Sequence, residues 1–267
     1  MVKSMGPIDK FRGWNRRRIA ARRMAKPPVA TPFGFVMNGN AKMLAGTFEP
    51  EETSLVRSLL AQMDRFVNVG ANTGYYCLFA SQAGVPTIAF EPVQSNVTIL
   101  VQNLKANGFD NVTLLPVAVG ERAGFADIYG VGTGSSFVEG WAGNPESTRQ
   151  TVPVVTLSEI VSPPEHDEKM FILVDVEGFE YFALKGADTL INAANKPVWL
   201  IEIVGEGVTP VFNPDAQAVF DLMLNSGYSA YTATGNRKQV SSPQMDETNY
   251  LFISSEMSVD DVIDGSK

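Results

Sequence analysis

The feature that most constrains this chain is a rhythm. Short apolar runs alternate with amphipathic stretches from residue 66 to residue 203. The runs at Phe66–Val69, Thr87–Phe90, Val112–Val117, Phe171–Val174 and Val198–Ile203 hold few polar residues. A strand built from such a run must be covered on both faces. Between the runs, Tyr75–Gln82 reads as a helix, and Asn96–Ala106 places Val97, Leu100, Val101 and Leu104 on one helical face. Upstream, Leu55, Leu59, Leu60 and Met63 recur at helical spacing within residues 51–63, with Glu51 and Glu52 near the positive end of the dipole. Downstream, helices are predicted over Phe179–Asn192 and Pro214–Asn225, and late strands over Tyr228–Thr232 and Tyr250–Ser254. Parallel β–α–β units meet this pattern, so the expected class is α/β.

Residues 118–170 break the rhythm with seven glycines between Gly120 and Gly143, then Pro153, Pro163 and Pro164. Phe125–Tyr129 and Val152–Leu157 can pair as extra strands, and the stretch between them is a candidate substrate loop or lid. The expected organisation is a basic extension and connector over 1–45, an α/β domain over 46–256 with a substrate-side insertion near 120–168, and a polar tail over 257–267.

Charge is uneven. The whole chain carries -8, but residues 1–28 hold nine Lys or Arg and one Asp, which leaves -16 for the other 239 residues. An acidic body argues against nonspecific nucleic-acid binding by the whole surface, and no specific nucleic acid is expected. The basic block, interrupted by Trp14, Ile19 and Met24, suits a solvated helix or arm. It equally suits contact of residues 1–26 with a membrane surface or an acidic partner. No apolar run follows it as in a secretory signal, and no stretch approaches 18 uninterrupted apolar residues. Cys77 is the single cysteine, so an intrachain disulfide is impossible; a reducing cytoplasm fits, with the basic block leaving room for peripheral attachment to a membrane.

The first core strand leads into Asn68-Val69-Gly70-Ala71-Asn72-Thr73-Gly74. Gly70 and Gly74 flank a tight turn where a missing Cβ lets the backbone bend and approach a ligand. Asn72 interrupts the dinucleotide fingerprint, and no Gly-Lys-Ser/Thr follows, so nothing here requires a pyrophosphate. The second strand ends at Glu91-Pro92, twenty-one residues after Gly70. A carboxylate there can accept the ribose hydroxyls of a bound nucleoside. The pair points to a nucleoside cofactor.

A second acidic cluster, Asp175-Val176-Glu177-Gly178-Phe179-Glu180, follows the most apolar run. Glu177 is a candidate base for a hydroxyl acceptor, Asp175 a candidate for orienting cofactor or substrate, and Glu180 an i,i+3 neighbour of Glu177 if the following helix begins early. Glu202 ends the next strand and can face the same crevice. Carboxylates alone define no coordination shell, so no metal is expected. His166 lies in a Pro- and charge-rich linker and reads as a surface residue.

Gly46-Thr47-Phe48-Glu49-Pro50, Asn68–Gly74, Phe90-Glu91-Pro92, Asn103–Gly108, Ala118-Val119-Gly120, Asp175–Glu180 and Glu202-Ile203, in this order, resemble the FkbM-type methyltransferases. The resemblance implies a class I, Rossmann-like methyltransferase fold with a seven-stranded, mostly parallel sheet whose last strand is antiparallel. It implies S-adenosylmethionine (SAM) as methyl donor and a hydroxyl oxygen of a small-molecule or glycan acceptor as target. It implies cofactor contacts at Asn68, Gly70, Asn72, Gly74, Glu91 and Ala118, and catalytic roles among Asp175, Glu177 and Glu180. Asn68, Leu173 and Ser158 depart from the family pattern. The competing expectation is a catalytically weak cofactor- or glycan-binding protein of the same fold. A nicotinamide oxidoreductase is disfavoured by Asn72 and by the lack of a hydride-transfer constellation.

Overall fold

The computed structural model of the protein describes residues 6–206, 213 and 215–264. Pro214, the first five residues of the basic block and residues 265–267 of the expected tail lie outside the described residues. The chain opens with helix α1 (Pro7–Met24), a two-residue hairpin β1 (Val29–Ala30) and β2 (Val36–Met37), and helices α2 (Ala41–Ala45) and α3 (Pro50–Leu60). The alternating part follows as β3 (Arg65–Val69), α4 (Tyr75–Gln82), β4 (Thr87–Phe90), α5 (Gln94–Asn107) and β5 (Val112–Leu115). Strands β6 (Ala118–Val119), β7 (Gly124–Tyr129) and β8 (Arg149–Val155) come next, then α6 (Leu157–Ile160). The alternation resumes with β9 (Met170–Val174), α7 (Glu180–Lys185), α8 (Asp188–Ile191), β10 (Val198–Glu202) and α9 (Ala216–Asn225). Strands β11 (Tyr228–Thr232), β12 (Gln239–Val240) and β13 (Asn249–Ser254) and helix α10 (Val259–Asp264) close the chain.

The main sheet has the order β12-β11-β13-β10-β9-β3-β4-β5. Strands β5, β4, β3, β9 and β10 run parallel, and β13, the last in sequence, is antiparallel to both β10 and β11. The two-residue β12 adds an eighth strand to the seven expected, on the edge of β11. Side-chain alternation sorts the two cores. Phe66, Phe171, Leu173, Leu200 and Leu251 face α3, α4, α5 and α10. Val67, Ile172, Val174, Trp199 and Phe252 face α6 to α9. Each fully buried Phe or Leu contributes about 1.5–3 kcal/mol, which is why runs with almost no polar residue become the central strands.

The structure corrects several expectations. The helix predicted over Phe179–Asn192 breaks into α7 and α8, where Ala187 leaves helical backbone values (φ −114°, ψ 22°) beside Gly186, which lies against the Gly120 carbonyl with no room for a Cβ. The supposed connector within residues 1–45 buries Phe35, Met37 and Met43 in the core, and Asn103 and Asn107 of α5 zip β2 to it. The Asn38 N–H donates to Asn103 Oδ1 at 2.6 Å and the Val36 N–H to Asn107 Oδ1 at 2.8 Å. Within the supposed polar tail over 257–267, Val259–Asp264 form α10, whose Val262 and Ile263 are buried against α3.

The insertion forms its own sheet, β6-β8-β7, in which Phe125–Tyr129 pairs antiparallel with β8; the strand expected over Val152–Leu157 runs instead from Arg149 to Val155, and Leu157 opens α6. Between β7 and β8, residues 130–148, the candidate lid, include short 3-10 turns at Trp141–Gly143 and Glu146–Thr148. Helix α1 is strapped across it. Asp9 Oδ2 accepts from the Ser147 N–H at 2.9 Å, and the Asp9 carbonyl accepts from Ser147 Oγ at 2.6 Å. Arg16 donates to the carbonyls of Ala142 and Gly143, and Arg17 to that of Ser147. Gly13 lies directly on Ser147. The inner face of the basic helix is therefore engaged within the chain. No described helix is long and apolar enough to cross a membrane.

Candidate functional site

The sheet order reverses between β3 and β9: from β3 the chain moves outward to β4 and β5, then returns to β9 on the other side. Ligands of open α/β sheets gather at such a switch point, beyond the strand C-termini. A crevice opens there. Gly70 and Asn72 form one wall with Glu91 and Asn96, Ala118 and Ile128 form a second, and Asp175 and Glu177 close the far side under Phe137 of the lid.

The turn after β3 uses three left-handed residues: Gly70 (φ 89°), Asn72 (φ 50°) and Gly74 (φ 87°). Its glycines serve the protein before any ligand. A Cβ on Gly70 would run into the Asp175 carbonyl, and one on Gly74 would stand 2.8 Å from Leu100 Cγ. Gly70 lines the crevice as well as packing on the Asp175 carbonyl, while Gly74 packs on α5 and does not line it.

Glu91 holds that turn together. Oε2 accepts the Asn72 N–H at 2.8 Å; Oε1 accepts the Val93 N–H at 2.8 Å and Asn96 Nδ2 at 3.2 Å. A carboxylate oxygen offers two lone pairs, so Oε1 is saturated and Oε2 keeps one acceptor for a hydroxyl. Burial pushes this acid up to about 7, against the three hydrogen bonds that lower it.

Asn68 departs from its expected place as a cofactor contact. It is buried, it does not line the crevice, and Nδ2 donates to Cys77 Sγ at 3.4 Å under the loop. Its Oδ1 has no partner. As the fourth residue of β3 it falls on the α4 face, opposite Val67 and Val69. The Cys77 thiol is itself pushed up to about 12 by burial.

The three acids after β9 separate. Asp175 lines the crevice with an unpaired Oδ1, and burial raises it, while a hydrogen bond with Glu202 at the end of β10 acts the other way. Glu177 sits just before α7 in the left-handed region (φ 55°). Its carboxylate accepts Trp141 Nε1 at 2.5 Å, and its carbonyl accepts Ser136 Oγ at 2.5 Å, so the lid fixes it at both ends. Burial and then the Asp175 charge raise Glu177 to about 7. Glu180 does not join them. It is 1% exposed, accepts the Gly178 N–H at 2.9 Å and Asn213 Nδ2, and lies outside the crevice. Helix α7 starts only at Glu180, so Glu177 and Glu180 are not helical neighbours. Glu180 holds the turn; it is not placed to reach a substrate. His166 is exposed beside Asp167.

Two acids at the start of α3, which line a separate cleft, were read from sequence only as a motif and a helix start. Glu49 (φ 38°) precedes Pro50 at the helix N-terminus, and Glu52 is one turn on. Tyr76 donates its hydroxyl to Glu52 Oε1 at 2.7 Å. Burial raises Glu49 to about 7, with Asp175 adding to it, and raises Glu52 to about 8, with Glu49 adding to it. No group of three His, Cys, Asp or Glu that could hold a metal ion is present among the described residues.

This geometry fits SAM. The crevice ends at a carboxylate with one free acceptor, an unpaired buried Asp175 oxygen and a Gly-rich turn. The methyltransferase FkbM domain is matched over residues 68–230, more than half of the chain. The chain belongs to the FkbM-type methyltransferase family. No curated protein matches it. Among solved structures it is similar to the magnesium protoporphyrin IX methyltransferase of Synechocystis PCC 6803 with bound SAM, at 12% identity over 94% of this chain and 98% of that one, with TM-score 0.46. A putative O-methyltransferase from Klebsiella pneumoniae is 13% identical over 95% and 92% of the two chains (TM-score 0.44). A precorrin-6y C5,15-methyltransferase from Geobacter metallireducens GS-15 is 16% identical over 80% and 92% (TM-score 0.42). As an FkbM-family enzyme the chain transfers methyl groups from SAM.

Proposed function

We propose that this FkbM-family enzyme methylates a hydroxyl oxygen of a small-molecule or glycan acceptor, with Gly70, Asn72, Glu91 and Ala118 around the donor and Glu177 as base. Bound SAM supplies an activated methyl carbon on a sulfonium. The observation that carries the reading is the placement of Glu177. Trp141 and Ser136 hold it at the crevice opposite Glu91, and its carboxyl titrates at about 7. A base poised near the working pH removes a hydroxyl proton most effectively. Alignment of the acceptor against the donor contributes at least as much. Asp175, which lines the same crevice and is hydrogen-bonded to Glu202, orients rather than abstracts.

Isothermal titration with S-adenosylhomocysteine (SAH) tests the donor site. Mass spectrometry of a metabolite and glycan extract treated with the protein and isotopically labelled SAM tests transfer. Labelled methyl ether products support the reading; tight SAH binding with labelled methyl only on nitrogen or carbon overturns the oxygen assignment. The outward face of α1, where Phe11, Arg12, Trp14 and Arg18 are exposed, belongs to the same proposal as a contact for an anionic membrane surface. Co-sedimentation with phosphatidylserine vesicles, compared with neutral vesicles, tests that part.

A further inference from the structure

Helix α1 and the start of α5 enclose a cleft of about 400 Å³, the size of a small-molecule site. Arg16 and Arg23 line it from α1, Ser95 and Asn96 from α5, and Gly132 and Thr133 from the candidate lid. Asn96 and Gly132 also line the donor crevice, so the two cavities share a wall.

The two arginines of this cleft lack counter-charges. The other four arginines of α1 are exposed, whereas Arg16 and Arg23 are half-buried. Neither takes part in a salt bridge among the described residues. Arg16 gives Nη2 to the carbonyls of Ala142 and Gly143, at 3.3 and 3.2 Å. Arg23 is less well satisfied. Its Nη2 is buried with no partner, and its Nη1 reaches Thr133 Oγ1 only at 3.4 Å, at the long end for a hydrogen bond. Burial lowers the Arg23 pKa, and no carboxylate offsets that. Because Thr133 lines the cleft as well, the Nη1 edge of Arg23 is the one that faces it. Helix α5 begins without a side-chain cap, so its positive end adds to the same potential.

We propose that this cleft binds a phosphate monoester, with the phosphate on the Nη1 edge of Arg23 beside Thr133, and that this ligand strengthens donor binding. A guanidinium is the side chain best suited to a phosphate. Arg16 stands seven positions away, about two turns along one face of α1, and draws the anion in from the other end of the cleft. The acidic body of the chain repels such an anion, which leaves α1 to receive it. The route to the donor is short. Thr133 Oγ1 donates to Asn72 Oδ1 at 3.3 Å, and the Asn72 N–H donates to Glu91 at 2.8 Å. Ser95 Oγ donates to the Val131 carbonyl at 2.7 Å and ties the same lid segment to α5. An anion that fixes Arg23 fixes Thr133, and with it the turn around the donor. The same chemistry has two sources, a phosphorylated metabolite or the phosphate of a lipid headgroup. The proposal rests on the donor site and adds an effector to it.

The test is isothermal titration of the full chain with SAH at fixed ionic strength. The probes are glycerol 3-phosphate, with glycerol as control, and phosphatidic acid vesicles, with phosphatidylcholine vesicles as control. We expect a phosphate probe to tighten SAH binding at least about fivefold, and SAH to tighten binding of that probe by the same factor, because coupling is reciprocal. Arg23→Gln should abolish the gain and Arg23→Lys should keep part of it. Arg16→Gln, which leaves Arg23 in place, should reduce it. Arg22→Gln removes the same charge from an exposed position outside the cleft and should leave it intact. A gain from glycerol 3-phosphate assigns the soluble source, and a gain from phosphatidic acid alone assigns the lipid. No gain from either probe, an equal gain from the controls, or a gain lost as fully in Arg22→Gln as in Arg23→Gln overturns the proposal. A protein that fails to bind SAH at all sinks the donor site itself; one that binds SAH equally well with and without the phosphate probes sinks only the anion cleft.

Discussion

At the residue scale, the site is held by groups that satisfy one another before a ligand arrives. Gly70 carries both a left-handed backbone and contact with the Asp175 carbonyl. Gly70→Ala is therefore expected to cost at least about 2 kcal/mol of stability, read as a lower midpoint in urea, and to weaken SAH binding. Glu91→Ala leaves the Asn72 and Val93 N–H groups without their acceptor, at about 1–3 kcal/mol for each that stays buried. Titration should show SAH affinity down by at least about tenfold. Trp141 is the instructive case. Its indole N–H lowers Glu177, against burial and Asp175. In the wild type, kcat/KM should rise with pH through about 7 as Glu177 loses its proton. Trp141→Phe removes the lowering hydrogen bond, so that rise should move to higher pH. A pH profile with an unmoved limb argues that another group is the base.

At the scale of elements, α1 and the lid act as one unit. The contacts run through Asp9, Gly13, Arg16 and Arg17 to residues 142–147. A longer path, from Arg23 to Thr133 and on to Asn72, reaches the turn after β3. Gly13→Leu places a side chain where Ser147 sits. The expected result is release of α1 and faster hydrogen exchange over residues 130–148, with the strands β3 and β9 unchanged. Because Trp141 and Ser136 belong to that lid, loosening it should lower kcat as well as raise KM. An effect on neither would make α1 an appendage.

At the scale of the molecule, the dominant feature is an acid-rich switch point with few cations. Glu49, Glu91, Glu177 and Glu180 titrate near 7 and Glu52 near 8, all raised chiefly by burial. An unfolded glutamate titrates near about 4.3. The folded state thus binds these protons more tightly than the unfolded state. Their stabilising contribution is complete below the unfolded value and is lost as pH rises through 7 to 8. The melting temperature should fall between about pH 5 and pH 8 and level off above, by roughly 2–4 °C for each kcal/mol lost. Glu52→Gln should flatten that slope. Saturation with SAM, a cationic ligand, should stabilise more at pH 8 than at pH 5.

What the sequence by itself determined is local or periodic. Runs such as Phe171–Val174 can only be two-sided strands, and Leu100 and Leu104 can only cover one. The turn Asn68–Gly74 and the acid Glu91 were legible because strand, turn and strand end are set by neighbours along the chain. Tertiary structure alone decided the rest. It turned Asn68 toward Cys77, buried Glu180 beneath Gly178, and brought Glu49 and Glu52 within reach of Asp175. It also set the basic helix on Ser147, 138 positions from Asp9. The physical reason is that a side chain's direction and charge depend on which distant backbone shields it from water, and no spacing in the chain records that.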